Sequence, residues 1–235
     1  MIPRATLHPA ELTFDARITS ILPEGVLLSQ TRFYPTSGGQ PNDTGTLAKD
    51  GRTYRVTDVR KHEQGPLHVL DTTEGLAVGD PVTGSVDAAR RTAHRRMHTA
   101  MHVLCAVLES TAGTRITGNQ IGEERSRLDV DLPAYDPALI QRAVDDANAI
   151  IARDLPVTRK VVSREEFLAD PTLVKLAAGF PVHIREVHLV TIPGVDAQAC
   201  GGTHVDRLGE IGRILLLRSE NRGKNNRRIY FGLAS

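Results

Sequence analysis

A chain of 235 residues, 40% hydrophobic and 24% charged, is long enough to bury a sizeable core without disulfide staples, and its two cysteines, Cys105 and Cys200, cannot form a disulfide framework. No apolar run approaches the roughly 18 residues needed to span a bilayer, so membrane and disordered classes are excluded. The formal charge of +1 hides a pattern: residues 87–96 carry +3 and residues 218–228 carry +4, leaving −6 for the rest, which suits a local polyanion site as well as a solvated surface. With only 4% aromatics, base stacking cannot be the main mode of any nucleic-acid binding.

Residues 11–18, 24–29, 52–60, 66–70 and 82–86 are short β-branched runs separated by Gly, Pro and Asp turns, and they predict a small β-barrel. Asp87 then reads as an N-cap, and the stretch from Ala88 to about Thr111 lacks Gly and Pro until Gly113, the expected stop. A hairpin is expected over 114–132, a helix from Asp136 with Pro137 in its first turn to about Asp154, and a strand over 156–162. Ser163 and Glu166 have capping-box spacing and open a short helix. Strands near 182–190, 211–218 and 227–233 follow, the last two joined by the basic loop Glu220 to Asn226. The expectation is an α+β chain: an N-terminal barrel domain over 1–87, then an α+β domain over 88–235 with an antiparallel sheet and a long helix. The N-terminus shows no basic stretch followed by an apolar core, which predicts a cytoplasmic protein.

His98 and His102 stand four apart on the predicted helix and so present two imidazoles on one face. Cys200-Gly201-Gly202-Thr203-His204 offers a thiolate and a third imidazole on a loop that its glycines allow to turn tightly. Mixed imidazole and thiolate donors suit Zn²⁺ better than Mg²⁺ or Ca²⁺. Four side chains can close the tetrahedron as a structural site; a loosely held His204 would leave a position open. A zincin peptidase is disfavoured because Thr99 stands where H-E-x-x-H requires glutamate. His94, one turn earlier, suits a supporting or substrate-facing role, and Cys105 suits the core. Ser37-Gly38-Gly39-Gln40, within Tyr34 to Gly45, reads on its own as a turn.

HTAMH with CGGTH, preceded by FYPTSGGQPNDTG and followed by SENRGKNNRRIYFGL, resembles the freestanding alanyl-tRNA editing proteins, which are similar to the editing domain of alanyl-tRNA synthetase. The resemblance implies a zinc-dependent aminoacyl-tRNA hydrolase with one Zn²⁺ per chain that removes serine, with glycine as a further candidate, from tRNA(Ala) while sparing Ala-tRNA(Ala). It implies His98, His102, Cys200 and His204 as the metal residues. Thr99, Gln120 and the loop Ser37, Gly38, Gly39 and Gln40 are the corresponding candidates for reading the serine hydroxyl. Arg222, Lys224, Arg227 and Arg228 form the first candidate tRNA surface and Arg90 to Arg96 the second; neither a membrane nor an obligate protein partner is expected. The rival of a different class is a zinc-structured RNA-binding module without catalysis.

Overall fold

In a computed structural model, which describes residues 11–173 and 186–234, the chain divides into two compact units, Met1–Thr92 and Ala93–Ser235. The division falls within a helix, past the change of pattern at Asp87.

The first unit is a closed antiparallel barrel of β1 (Thr13–Leu22), β2 (Gly25–Leu28), β3 (Gly45–Lys49), β4 (Arg52–His62), β5 (Gly65–Leu70) and β6 (Pro81–Val86), in the order β1-β2-β5-β4-β3-β6. Period-two alternation puts Phe14, Ala16 and Ile18 of β1 and Val82 and Val86 of β6 into the interior. Opposite Phe14 stands Gly84, where a Cβ would meet the Phe14 ring at 2.4 Å; the missing side chain makes room for the aromatic. The sequence reading omits β3, whose Gly45-Thr46-Leu47-Ala48-Lys49 follows the irregular stretch Pro41-Asn42-Asp43-Thr44 and contains one buried side chain, Leu47.

Helix α1 (Ala88–Ala112) starts on the Asp87 cap, whose Oδ1 accepts from the N–H groups of Ala89 and Arg90 at 3.0 and 3.1 Å. It stops at Gly113, which takes a φ of 64° and returns its N–H to the Glu109 carbonyl. In the second unit the apolar half of α1 joins α2 (Pro137–Ile151) in one core. That core covers an antiparallel sheet ordered β12-β13-β8-β7, built from β7 (Ile116–Gln120), β8 (Ser126–Val130), β12 (Ile214–Asn221) and β13 (Arg227–Leu233). A second sheet, β11-β10-β9, comprises β9 (Thr158–Ser163), β10 (Glu186–Ile192) and β11 (Asp196–Ala199). Between β9 and β10, α3 (Arg164–Leu168) opens with the Ser163 hydroxyl accepting the Glu166 N–H, as the spacing predicts. Of the strand expected near 182–190, the first residues lie outside the described ones. The architecture is α+β, and no helix among the described residues is long and apolar enough to cross a membrane.

Candidate metal centre

Helical spacing places His98 and His102 on one face of α1, and β11 delivers Cys200 and the loop to His204 against them. The Cys200 N–H continues the β10–β11 ladder by bonding the His188 carbonyl at 2.8 Å, so the cysteine leaves the sheet from a fixed point. Its Sγ lies 3.4 Å from His98 Nε2 and 3.2 Å from His204 Nε2, and the donor atoms of His98, His102, Cys200 and His204 all fall within 4.8 Å of one another. Zn–N and Zn–S bonds of about 2.0 and 2.3 Å put the corners of a tetrahedron with one sulfur about 3.3–3.5 Å apart, close to the two Sγ–Nε2 separations, so the set has the size and donor chemistry for zinc.

The electrostatics point the same way. Burial alone would raise the Cys200 thiol, but His98 and His204 beside it, with hydrogen bonds from His102 and His204, hold it well below its ordinary range and favour thiolate. Burial takes His204 down to about 3, leaving it a neutral imidazole at pH 7. Burial acts downward on His102 too, but Asp196 and Cys200 outweigh it and raise that group to about 10. A cation is thus favoured between His102 and the thiolate, a place that a metal takes by displacing a proton.

Asp196, Gln198, Arg159 and Asp206, absent from the sequence reading, complete the surroundings. Asp196 Oδ2 accepts from His102 Nδ1 at 3.0 Å and from Gln198 Nε2 at 2.8 Å, all three side chains being buried. This is the carboxylate–histidine arrangement that orients a metal-binding imidazole through its far nitrogen. Two guanidinium groups also converge on the His204 main chain: Arg95 Nε donates to its carbonyl at 2.7 Å and Arg159 Nη2 at 2.5 Å, and both arginines pair with Asp206.

The other predicted residues are distributed unevenly. Thr99 is wholly buried beneath His204, with its hydroxyl 3.1 Å from His204 Nδ1, whereas Gln120 is exposed at the end of β7. Ser37 to Gln40 lie in the first unit as a tight turn: Ser37 and Gln40 exchange backbone hydrogen bonds at 2.9 and 3.0 Å, and Gly38 and Gly39 take φ of 58° and 84°. Open space surrounds a Cβ built at Gly38, so backbone conformation is what calls for glycine there. In the loop after β12, Arg222 and Lys224 are exposed. Arg227 is not a surface cation: it is 4% exposed and donates to Asn221 Oδ1 and to the carbonyls of Gly223, Asn226 and Pro133. Arg228 forms a two-pronged pair with Asp129. The run Arg90 to Arg96 is likewise inward: Arg90 donates to the Asn42 carbonyl, Arg91 is buried on Asp43, and Arg96 donates to the Ile211 carbonyl. His94 is buried and outside the four-donor cluster, and Cys105 sits in the core, where burial pushes its thiol up.

Comparison with known proteins gives a consistent result across the chain. Residues 5–90 match the family described as tRNA synthetases class II (A), and residues 187–230 match the threonyl and alanyl tRNA synthetase second additional domain. The chain is 43% identical over 227 residues to alanyl-tRNA editing protein AlaX-M of Methanosarcina barkeri, covering 94% of this chain and 93% of that protein. It is 39% identical over 220 residues to the AlaX-M of Saccharolobus solfataricus, covering 93% and 92%. It is also 36% identical over 227 residues to the alanine–tRNA ligase of Methanothrix thermoacetophila, covering 95% of this chain and 24% of that larger protein.

Proposed function

This chain belongs to the family of alanyl-tRNA editing proteins, and from that premise we propose that it hydrolyses the aminoacyl ester of mischarged tRNA(Ala), removing serine, with glycine as a further candidate, and sparing Ala-tRNA(Ala). The observation that carries the reading is the cluster of His98, His102 and His204, all buried, with the half-buried Cys200. An editing step is needed because an alanine pocket excludes the smaller glycine poorly and rejects an added hydroxyl weakly. Discrimination in the second site runs the other way: it must offer hydrogen bonds that serine completes and alanine leaves unpaired.

His98 and His102 of α1 and Cys200 and His204 of the loop would hold one Zn²⁺. Zinc supplies Lewis-acid polarisation and placement of the ester at such a site. Cys200 contributes the negative charge, and Asp196 and the Arg95–Arg159 clamp keep the donors in position before substrate arrives. Gln120, exposed on β7, and the turn from Ser37 to Gln40 remain the proposed contacts for the substrate's polar groups. We assign the barrel over 1–87, with that glycine-rich turn, to presenting the acceptor end, and residues 88–235 to the zinc-bearing editing domain. Arg222 and Lys224 are the cations of the basic loop exposed for tRNA phosphates. Such a substrate places the protein in the cytoplasm.

The test compares deacylation of Ser-tRNA(Ala), Gly-tRNA(Ala) and Ala-tRNA(Ala) by the protein as purified, after chelation and after zinc is restored. Zinc-dependent loss of serine and retention of alanine are expected. A zinc-loaded protein that binds tRNA(Ala) and deacylates none of the three is an RNA-binding module, and the hydrolase assignment falls.

A further inference from the structure

The hydrogen bonds around Thr99 contain more information than its place beside His98 suggests. Its Oγ1 lies 2.9 Å from the Arg95 carbonyl, 3.1 Å from His204 Nδ1 and 3.2 Å from the Val205 nitrogen. A hydroxyl has one proton to give and two lone pairs. The Arg95 carbonyl can only accept, so it takes the Thr99 proton; the Val205 N–H can only donate, so it occupies one lone pair. The remaining lone pair faces His204 Nδ1 and requires a proton on that nitrogen. The neutral imidazole is thereby left with its free lone pair on Nε2, the atom 3.2 Å from Cys200 Sγ inside the donor cluster.

We propose that Thr99 is a positioning residue that sets the tautomer and ring orientation of His204, making it a fixed fourth donor, and that Thr99 does not read the serine hydroxyl. Its hydroxyl is saturated by three partners and is wholly buried, so no capacity is left for a substrate group. The main chain that carries His204 is held independently. Arg95 and Arg159 fix the His204 carbonyl, Arg159 also holds the Val205 carbonyl at 2.9 Å, and Asp206 accepts from both guanidinium groups. With the backbone fixed from one side and the ring from the other, the Thr99 hydroxyl decides which nitrogen faces the metal position. The inference rests on the metal-binding reading of the cluster.

The experiment measures Zn²⁺ affinity by competition with a chromophoric chelator, together with the visible spectrum of the Co²⁺-substituted protein, for wild type, Thr99→Val and Thr99→Ser. Thr99→Val keeps the shape and loses the hydroxyl; its zinc affinity is expected to fall about 10–100-fold, with a weakened tetrahedral Co²⁺ band. Thr99→Ser keeps the hydroxyl and is expected to retain both. At saturating zinc, Thr99→Val should still remove serine in preference to alanine. Unchanged zinc affinity and Co²⁺ spectrum in a folded Thr99→Val would overturn the proposal, as would loss of serine preference at full zinc occupancy. Should Thr99→Val fail to fold, long-range ¹H–¹⁵N spectra of wild-type His204 decide the matter: a proton on Nδ1 supports the assignment and a proton on Nε2 refutes it. A wild-type protein that binds no zinc would instead remove the metal reading itself, an outcome separable from all of these.

Discussion

Replacing Asp196 tests how much of the metal centre is built outside its four donors. The carboxylate is 2% exposed and its Oδ2 serves both His102 Nδ1 and Gln198 Nε2. Asp196→Asn leaves an oxygen for both donors and removes only the charge. The difference between a charged and a neutral hydrogen bond is about 1 kcal/mol, which lowers zinc affinity roughly fivefold. Asp196→Ala removes the acceptor that both donors share and frees the imidazole to turn, for a fall of about 10–100-fold. The same carboxylate, together with Cys200, raises His102 to about 10 against the pull of burial, so it also strengthens the proton that competes with the metal. The sign follows: zinc binding expels that proton, and wild-type affinity rises with pH until His102 loses it unaided near pH 10. Without Asp196 the rise ends at lower pH, and the variants separate most clearly at pH 9. The assay is chelator competition from pH 7 to 9, with proton release measured calorimetrically in buffers of different ionisation enthalpy. An Asp196→Ala protein with wild-type affinity at pH 9 and an unchanged pH slope would refute the assignment.

Three further outcomes follow from the geometry. His68 is buried in the barrel between the Thr31 hydroxyl and the Val26 carbonyl, and burial lowers it to about 4. Because the unfolded chain binds that proton more readily, the barrel loses stability as pH falls below about 6.5, on the order of 2 kcal/mol between pH 7 and 5, and His68→Asn should flatten this slope in denaturant titrations. Neutralising Arg222 and Lys224 together should reduce the slope of log K against log salt for tRNA binding by about 0.7–0.9 per cation while leaving zinc content unchanged; an unchanged slope returns both residues to solvent. Arg227→Ala should act differently, lowering the melting temperature by stripping donors from three carbonyls and an amide oxygen. Weaker tRNA binding with unaltered stability would show that Arg227 faces RNA after all.

Much of this organisation is legible in the sequence because it is local. The Asp87 cap, the Gly113 stop and the four-residue spacing of His98 and His102 are properties of one helix. The Ser163–Glu166 cap needs a single turn. What stays hidden depends on partners far along the chain. Asp196 and Gln198 belong to a four-residue strand, Asp-Ala-Gln-Ala, whose composition carries little β signal; only pairing with β10 turns residues two apart onto one face, toward His102. Arg159 and Asp206 are 47 positions apart and meet only through the fold.

The basic hairpin shows how charge counts mislead where pleat parity does not. Along β13, Arg227, Ile229 and Phe231 are buried, while Arg228 and Tyr230 between them are partly exposed. Successive side chains alternate faces, so an apolar pair at 229 and 231 already assigns Arg227 to the core side and Arg228 to the other. The five cations of 218–228 are therefore unequal: Arg227 is internal, Arg228 is paired with Asp129, and Arg218 lies 2.7 Å from Glu220. The same inequality holds on α1, where Arg91 secures the barrel's Asp43 and Arg95 secures the carbonyl of a metal donor. Both concentrations of positive charge that suggest a polyanion surface are thus spent largely on holding loops. The charge open to RNA falls mainly to Arg222 and Lys224: among the described residues Arg222 meets an acidic group at Glu220, at 3.8 Å, and Glu220 already engages Arg218 at 2.7 Å.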